Sequence, residues 1–313
     1  MKKKTTLLTA LLAFAFISCA HSAEFARIGT SSVGGGFFII GNTIAQMGNA
    51  TQNGVNYTAV TGGSIKNLNA LAKGDIEFGL CQSATMDEGL KGSGAFKKPL
   101  TMLRFVTAIY PIPAHILVSG EGIASIPDLI GKRIDFGPIG GGIDTNTRLI
   151  LSAYGISDND VHIDRYGKSE SVEAIQTGTV NGHFWLTTVP NAQITEMLTK
   201  NVRLLPIEEE KRNWLVEKYP YFSKSVIPAG AYAGYDADLP VIAAVSALVT
   251  SESVSDELVY KTVKAMYENA AQLRERLPNY FAQFTLEHAL DGKAGMEVHP
   301  GALKYYKEVG LIK

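Results

Sequence analysis

Cysteine is almost absent from this chain of 313 residues, which contains only Cys19 and Cys81. Two cysteines allow one disulfide at most, and Cys19 lies in an N-terminal segment that we expect to be removed. The mature chain is therefore expected to rely on its apolar core for stability. Cys81 is expected to be a small, buried residue.

Long hydrophobic runs are also scarce. The run from Leu7 to Ile17 follows three lysines and precedes small residues, a pattern typical of a secretory signal peptide. We assign residues 1–23 to it, with cleavage after Ala20, Ser22 or, preferably, Ala23, and we expect a periplasmic location. Lipoprotein processing at Cys19 is an alternative that Phe16 fits poorly. No later stretch reaches the roughly twenty apolar residues that a membrane-spanning helix needs.

The sequence also lacks a strong net charge and recognisable catalytic motifs. The formal charge is −1, and it becomes −4 when the three lysines of the signal peptide are removed, so nothing indicates nucleic-acid binding. The histidines do not occur at metal-ligand spacing, and there is no G-x-S-x-G elbow, phosphate-loop lysine or dinucleotide fingerprint. We therefore expect a non-catalytic protein without a metal or cofactor.

A glycine-rich stretch is the most informative feature present. Residues 27–41 predict a short strand, a turn containing Gly34, Gly35 and Gly36, and the start of a helix. Unpaired N–H groups at a helix start can hold an anion, and nearby hydroxyls can donate to the same ligand. The alternative is a tight turn in which the glycines only permit positive φ.

The same pattern recurs along the chain. Strands are predicted at 55–60, 76–81, 132–136 and 180–186, and each is followed by glycine or polar residues and then a helix, for which Ser64 is one expected N-cap. Trp185 is more often a core residue in such a position, although its place near a strand end favours a cleft. Strands that alternate with helices predict an α/β fold with largely parallel sheets that bind ligands at the carboxyl ends of the strands.

Two proline-marked segments divide the chain into two lobes. Pro111–Ile112–Pro113 interrupts a strand-like region and predicts the first crossing, and residues 226–232 predict the return. Lobe 1 is then discontinuous, comprising 24–112 and 230–313, and lobe 2 comprises 113–229. A ligand would bind in the cleft between the lobes.

Six segments in order resemble the TAXI family, the solute receptors of TRAP transporters. They are residues 28–41, Val60–Ser64 with Asn67, Gln82, Gly131–Arg133 with the loop that follows, Thr187–Pro190, and Ile227–Tyr232. The resemblance covers essentially the whole mature chain. It implies a type II periplasmic-binding-protein fold in which two α/β lobes with mostly parallel sheets are joined by two hinge strands.

The resemblance also implies a ligand site, a ligand class and partners. Family ligands are small carboxylates such as glutamate and 2-oxoglutarate, and the partners are TRAP permease subunits that a monomeric receptor would serve. A ligand sensor and, less favoured, an enzyme on the same fold are the alternatives. The ligand-binding residues carried over are Thr30, Ser31, Ser32, Val33, Phe37, Thr61, Gly62, Ser64, Gln82, Gly140, Gly141, Gly142, Asp144, Trp185, Thr187 and Thr188.

Several positions depart from the family pattern. Phe37 and Phe38 stand where tyrosines are usual, and Gly141 and Ile143 replace two hydroxyl residues of the lobe 2 loop. Each departure removes a hydroxyl donor. The sequence thus predicts a site that is more apolar than is typical, with backbone N–H groups holding an anion and an apolar body resting on Phe37 and Trp185.

Overall fold

A computed structural model describes residues 24–31, 33, 35–137, 142–198 and 201–313. The predicted signal peptide and the predicted site residues Ser32, Gly140 and Gly141 lie outside the described residues. The described residues form ten strands, which are β1 Glu24–Gly29, β2 Val55–Val60, β3 Phe78–Gln82, β4 Leu103–Ser119, β5 Arg133–Asp135, β6 His162–Asp164, β7 Gly182–Leu186, β8 Val202–Leu205, β9 Phe222–Ile227 and β10 Leu239–Ser251.

The α-helices follow the strands in the alternation that the sequence predicts. They are α1 Gly36–Ala50, α2 Ser64–Lys73, α3 Ser83–Lys91, α4 Gly142–Ser152, α5 Lys168–Gln176, α6 Ala192–Met197, α7 Glu209–Lys218, α8 Asp256–Glu268, α9 Ala270–Arg276, α10 Pro278–Phe281 and α11 Pro300–Glu308. Among the described residues, no helix combines the length and apolar character required to cross a bilayer.

Sheet A belongs to lobe 1 and has the order β2-β1-β3-β10-β4. Strands β1, β2 and β3 are parallel, whereas β10 runs antiparallel to both β3 and β4 and also pairs with β9. The carboxyl ends of β1, β2 and β3 therefore lie along one edge of this sheet, and the turns that precede α1, α2 and α3 are brought together there.

Sheet B belongs to lobe 2 and repeats this arrangement in the order β6-β5-β7-β4-β8. Strands β5, β6 and β7 are parallel, and β4 runs antiparallel to β7 and β8. In each sheet three parallel strands are thus followed by a long antiparallel strand, β10 in sheet A and β4 in sheet B, and β4 also pairs with β10 in sheet A. The predicted fold class, two α/β lobes joined by hinge strands, is confirmed.

The first crossing takes place within β4. Its residues pair with β10 as far as Pro113 and with β7 from Ala114 onward. The prolines predict an interruption at Pro111–Ile112–Pro113, but the strand continues through both of them. Proline is tolerated here because β4 changes partner at this point and its pairing with β10 contains register shifts, so a regular ladder is not required of every residue.

The segment predicted to form the return crossing lies at the end of β9 and just after it. Residues 226–232 form the end of β9 and the turn that follows, and Ile227, Tyr232 and Val241 pack in a small apolar cluster with Leu117 of sheet B and residues of α5 and α6. Strand β10 then carries the chain back to sheet A, where it pairs with β3 from Ser246 onward. The turn between β9 and β10 therefore packs with lobe 2.

The main core is continuous through both lobes. It contains β4 and β10 residues such as Phe105, Ile116 and Leu248, and it covers the faces of both sheets. Cys81 is fully buried in this core, as expected from the sequence, and its thiol points to the Ser64 carbonyl oxygen at 3.7 Å. Burial raises the pKa of this thiol well above its ordinary value.

Candidate ligand cleft

Three turns at the edge of sheet A are connected by hydrogen bonds. The Gly62 N–H donates to the Ser31 carbonyl oxygen at 3.2 Å, and the Gln82 N–H donates to the Ser64 hydroxyl at 3.2 Å. Ser64 is the first residue of α2, and the N-cap position that the sequence assigns to it is occupied by Gly63. The Ser64 hydroxyl is instead used to join the start of α2 to the end of β3.

The side chain of Asn67 holds these turns in place. Its side chain is buried, and Nδ2 donates to the carbonyl oxygens of Thr30 and Leu80, each at 2.8 Å. A Cβ added to Gly62 would lie 2.0 Å from Asn67 Oδ1, so only glycine fits between the amide and the turn. Asn67 is part of the motif that carries the resemblance, but it is not among the predicted site residues.

The first glycine-rich turn uses its side chains differently from the prediction. The Thr30 hydroxyl is buried and donates to the Val60 carbonyl oxygen at 2.8 Å, and the Ser31 hydroxyl accepts from the Phe38 N–H at 3.1 Å. Phe37 is only 9% exposed and packs in the core, whereas Val33 is 75% exposed. The start of α1 is held by Ser31, and the ring of Phe37 offers little surface to a ligand.

The Asp144 carboxylate in lobe 2 is paired with two arginines. Its carboxylate is 7% exposed and accepts from Arg148 Nε and Arg165 Nη2, each at 3.2 Å. Arg148 also pairs with Asp158, and Arg165 donates to the Gly137 carbonyl oxygen at 3.0 Å. Asp144 therefore organises the start of α4 through charge pairing, which the sequence could not reveal because Arg165 lies on a different element.

The end of β7 carries Trp185, Thr187 and Thr188, all partly buried. The Thr187 hydroxyl accepts from Asn191 Nδ2 at 3.0 Å, and the side-chain oxygen of Asn191 accepts from two N–H groups at the start of α6. Pro190 precedes this cap and is joined to Val189 by a cis peptide bond. These contacts fix the turn between β7 and α6.

His115 attaches this turn to β4. Its Nε2 lies 2.9 Å from the Tyr232 hydroxyl, which also accepts from the Asn191 N–H at 3.1 Å. His115 Nδ1 lies 3.1 Å from the Pro113 carbonyl oxygen, which can only accept, so the neutral imidazole carries its proton on Nδ1 and Nε2 accepts from the Tyr232 hydroxyl. Burial lowers the pKa of His115 to about 4, in agreement with this assignment.

A buried polar cluster supports the lobe 2 side of the cleft. The Asp135 carboxylate accepts from the Ser171 hydroxyl at 2.6 Å and from the N–H groups of Gly137 and Tyr166 at 2.8 and 3.1 Å, and His183 Nδ1 lies 2.9 Å from it. Burial would raise the pKa of Asp135, but the contacts with His183 and Ser171 outweigh burial and lower it. The cluster fixes the backbone that presents Tyr166.

A cavity of about 340 Å³ lies where the two lobes face each other. Lobe 1 supplies Gln82 and Ala84, and β4 and β10 supply Ile112 and Ala244. The residues from lobe 2 are Gly142, Ile143, Asn146, Tyr166, Trp185 and Leu186. The structure thus brings together three of the predicted residues, Gln82, Gly142 and Trp185, and Ser64 contacts the backbone of Gln82.

Asn146 and Tyr166 line the cavity but are not among the residues predicted from the sequence. Asn146 lies one helical turn after Gly142 on α4, so helical spacing from the glycine could have identified it. Tyr166 follows β6, where a parallel strand ends, so the rule used for Gln82 applies equally to it. The remaining lining residues are apolar. Whether such a residue lines the cavity depends on how the lobes face each other.

The polar groups that line this cavity are two amides, a phenol and an indole. These groups can donate hydrogen bonds, and the apolar residues between them offer contact to a carbon skeleton. In the described part of the chain, no three His, Cys, Asp or Glu side chains are grouped to hold a metal ion. The arrangement is suited to binding a small organic molecule.

Fold and cavity together define a two-lobed protein with the periplasmic-binding-protein fold. The chain belongs to the NMT1-like family, whose model matches residues 28–310. Among solved structures, it is similar to the periplasmic sulfonate-binding protein SsuA from Methylobacillus flagellatus KT, with 13% identity, a TM-score of 0.52, and coverage of 93% of this chain and 88% of that one. It is also similar to SsuA from Escherichia coli, with 16% identity, a TM-score of 0.48, and coverage of 91% and 83%.

Proposed function

We propose that the protein is an extracytoplasmic solute receptor that captures a small organic anion between its lobes and delivers it to a membrane permease of the TRAP type. The observation that carries the proposal is the cavity of about 340 Å³ lined by both lobes and both crossing strands. A ligand that contacts both lobes favours the closed arrangement, and closure is what a permease can recognise.

The proposed ligand carries an acidic group and a more apolar body. The start of α4 at Gly142 lines the cavity and favours negative charge, and Gln82 and Asn146 can donate to the same ligand. Trp185, Ile143 and Leu186 offer apolar contact. Two arginines of lobe 2, Arg148 and Arg165, are already paired with Asp144. Recognition by amides and N–H groups is therefore proposed.

A receptor is favoured over an enzyme on the same fold. The polar groups that line the cavity are two amides, an indole and one phenol, and the described lining contains no second acid–base or nucleophilic side chain to pair with the phenol. Asp135 and His183 are not among the residues that line the cavity, and both side chains are almost fully inaccessible. A sensor that presents the closed form to a signalling protein would use the same site, and a permease gene beside this one would favour transport.

A thermal-shift screen of the mature protein tests the proposal. The panel should contain 2-oxoglutarate, glutamate, short alkanesulfonates and uncharged amides of matched size. The alkanesulfonates are included because SsuA proteins are named for sulfonates. We expect one of the anions to raise the melting temperature and the amides to have no comparable effect. Mass spectrometry of molecules that co-purify with the protein provides an independent identification.

Variants then locate the site. Gln82→Ala and Trp185→Ala should each weaken binding of the selected anion by about threefold to tenfold or more, because each removes a hydrogen bond or apolar contact. Gln272→Ala, on the exposed face of α9, is the matched control and should bind normally. Unchanged affinity in both cleft variants, or stabilisation by the amides alone, would contradict the proposal.

A further inference from the structure

A second cavity, of about 190 Å³, lies on the other side of β4 from the ligand cleft. Pro111 and Pro113 line this second cavity, whereas Ile112, between them, lines the cleft. Successive side chains of a strand point to opposite faces, so from Pro111 to Pro113 the crossing strand separates the two cavities; Tyr110, at the register shift of β4, also lines the second cavity. We refer to the one beside Pro111 and Pro113 as the rear cavity.

The rear cavity is bounded by both lobes. Val189 reaches it from the turn after β7, and Val226 and Pro228 reach it from β9 and the residue after its end. The opposite wall is formed by α10 and the residues after it, including Tyr280 and Ala282. No charged side chain is among its described lining residues.

Two tyrosines give the rear cavity an aromatic wall. The rings of Tyr110 and Tyr280 meet edge to face, with their centroids 5.2 Å apart and their planes at 72°. The Tyr280 hydroxyl lies at the start of α1, 3.1 Å from where a Cβ on Gly36 would be. None of the described residues forms a hydrogen bond with this hydroxyl, so it is available to a ligand.

The size and chemistry of the rear cavity fit one kind of ligand. A closed apolar cavity of roughly 150 Å³ is known to hold benzene, so about 190 Å³ accommodates a single ring with a small substituent. Proline, valine and tyrosine side chains offer apolar and edge-to-face contact to such a ring. The Tyr280 hydroxyl and the amides of Asn279 and Gln283 can bond one polar substituent, whereas a full charge would find no partner among the described lining residues.

We infer that the rear cavity is a second binding site, for an uncharged monocyclic aromatic compound that carries one amide or hydroxyl group. This inference is independent of the identity of the ligand in the cleft. Because both lobes line the cavity, an occupant there contacts both and favours the lobe arrangement in which those contacts are best. The rear cavity would therefore also influence closure of the cleft on the opposite side of β4.

Benzamide and phenol are suitable probes, with benzoate as the charged counterpart, and ligand-observed NMR on the mature protein measures their binding. We expect benzamide or phenol to bind and benzoate to bind at least about tenfold more weakly. Tyr280→Phe keeps the ring and removes the hydroxyl, and it should weaken binding by about threefold to tenfold. Failure of both uncharged probes to bind wild type at millimolar concentration would overturn the inference.

Filling the rear cavity provides a stricter test. Ala282 is exposed and lines the cavity, so Ala282→Leu should fold normally and reduce probe affinity about tenfold or more. Ala271→Leu, on the exposed face of α9, is the matched control and should bind like wild type. Probe binding that survives Ala282→Leu, or that is lost in the cleft variant Trp185→Ala instead, would place the probe elsewhere and refute the inference.

Discussion

The fit between Gly62 and Asn67 leads to a sharp prediction about the lobe 1 turns. Gly62→Ala would place a methyl group 2.0 Å from Asn67 Oδ1 and 3.2 Å from the Thr30 carbonyl oxygen, and the amide would have to move. Asn67 cannot move without weakening the bonds from its Nδ2 to Thr30 and Leu80. The clash and the loss of hydrogen bonds should therefore occur together.

The expected magnitude follows from these two contributions. Overpacking a fitted position costs about 1–3 kcal/mol, and each of the two weakened hydrogen bonds adds about 1 kcal/mol, so Gly62→Ala should cost about 3–5 kcal/mol. Asn67→Ala removes both bonds and leaves two buried carbonyl oxygens without these donors, at a similar cost of about 2–4 kcal/mol. In the Asn67→Ala background only the 3.2 Å contact with the Thr30 carbonyl oxygen remains, and Gly62→Ala should then cost less than about 1 kcal/mol.

Urea unfolding of the four proteins, followed by tryptophan fluorescence, measures this coupling. The double variant should be about as stable as Asn67→Ala alone, which corresponds to a coupling energy of about 2 kcal/mol or more. Gly142→Ala is a control in which the nearest described atom would lie 3.9 Å from the new methyl, and little destabilisation is expected. Strictly additive effects of Gly62→Ala and Asn67→Ala would refute the packing argument.

Three further outcomes are expected. The pKa of His115 is lowered to about 4 in the folded protein, from an unfolded value near 6.5. The contribution of the neutral ring to the unfolding free energy is therefore present above pH 6.5 and is lost, by up to about 3 kcal/mol, as the pH falls to 4. Urea melts of wild type and His115→Gln should converge over this range. Ser83 accepts from the Val245 N–H at 2.9 Å and donates to the Tyr221 carbonyl oxygen at 2.6 Å, so Ser83→Ala should lower the unfolding free energy by about 2–3 kcal/mol in the same melts. Cys81 should resist a thiol reagent in the folded protein and react in urea, because its thiol is buried and its pKa is raised.

Local periodicity is sufficient to predict the fold and part of the site. The α/β alternation is predicted correctly because each strand is bounded by glycine or polar residues at short range. The same local signals place Gln82 and Gly142 at strand and helix ends, and both line the cleft cavity. Trp185 is assigned to the cleft by its position near the end of β7 and also lines it.

Contacts between distant residues are not contained in these local signals. Asp144 is predicted as a ligand-binding residue, but its carboxylate is paired with Arg165 from another element. Phe37 is expected to support a ligand, but the helix packs that ring into the core. Tyr280 lies near the C-terminus of the chain and reaches the start of α1. Such pairings depend on which elements become neighbours, which no local pattern contains.

The exchange of strands between the sheets also determines how the lobes can move. Residues of both β4 and β10 are buried in the main core, and the two strands are paired with each other. Sliding one lobe past the other would therefore disrupt sheet pairing. In the proposed receptor, closure would occur as twisting where pairing changes, between Pro113 and Ala114 on β4 and beside Ala243 and Ala244 on β10. The alanine side chains here are small, and Pro113 has no N–H to donate to a neighbouring strand. A ligand in the cleft and an aromatic molecule in the rear cavity would contact opposite faces of that segment, so each would be sensitive to the twist that the other favours.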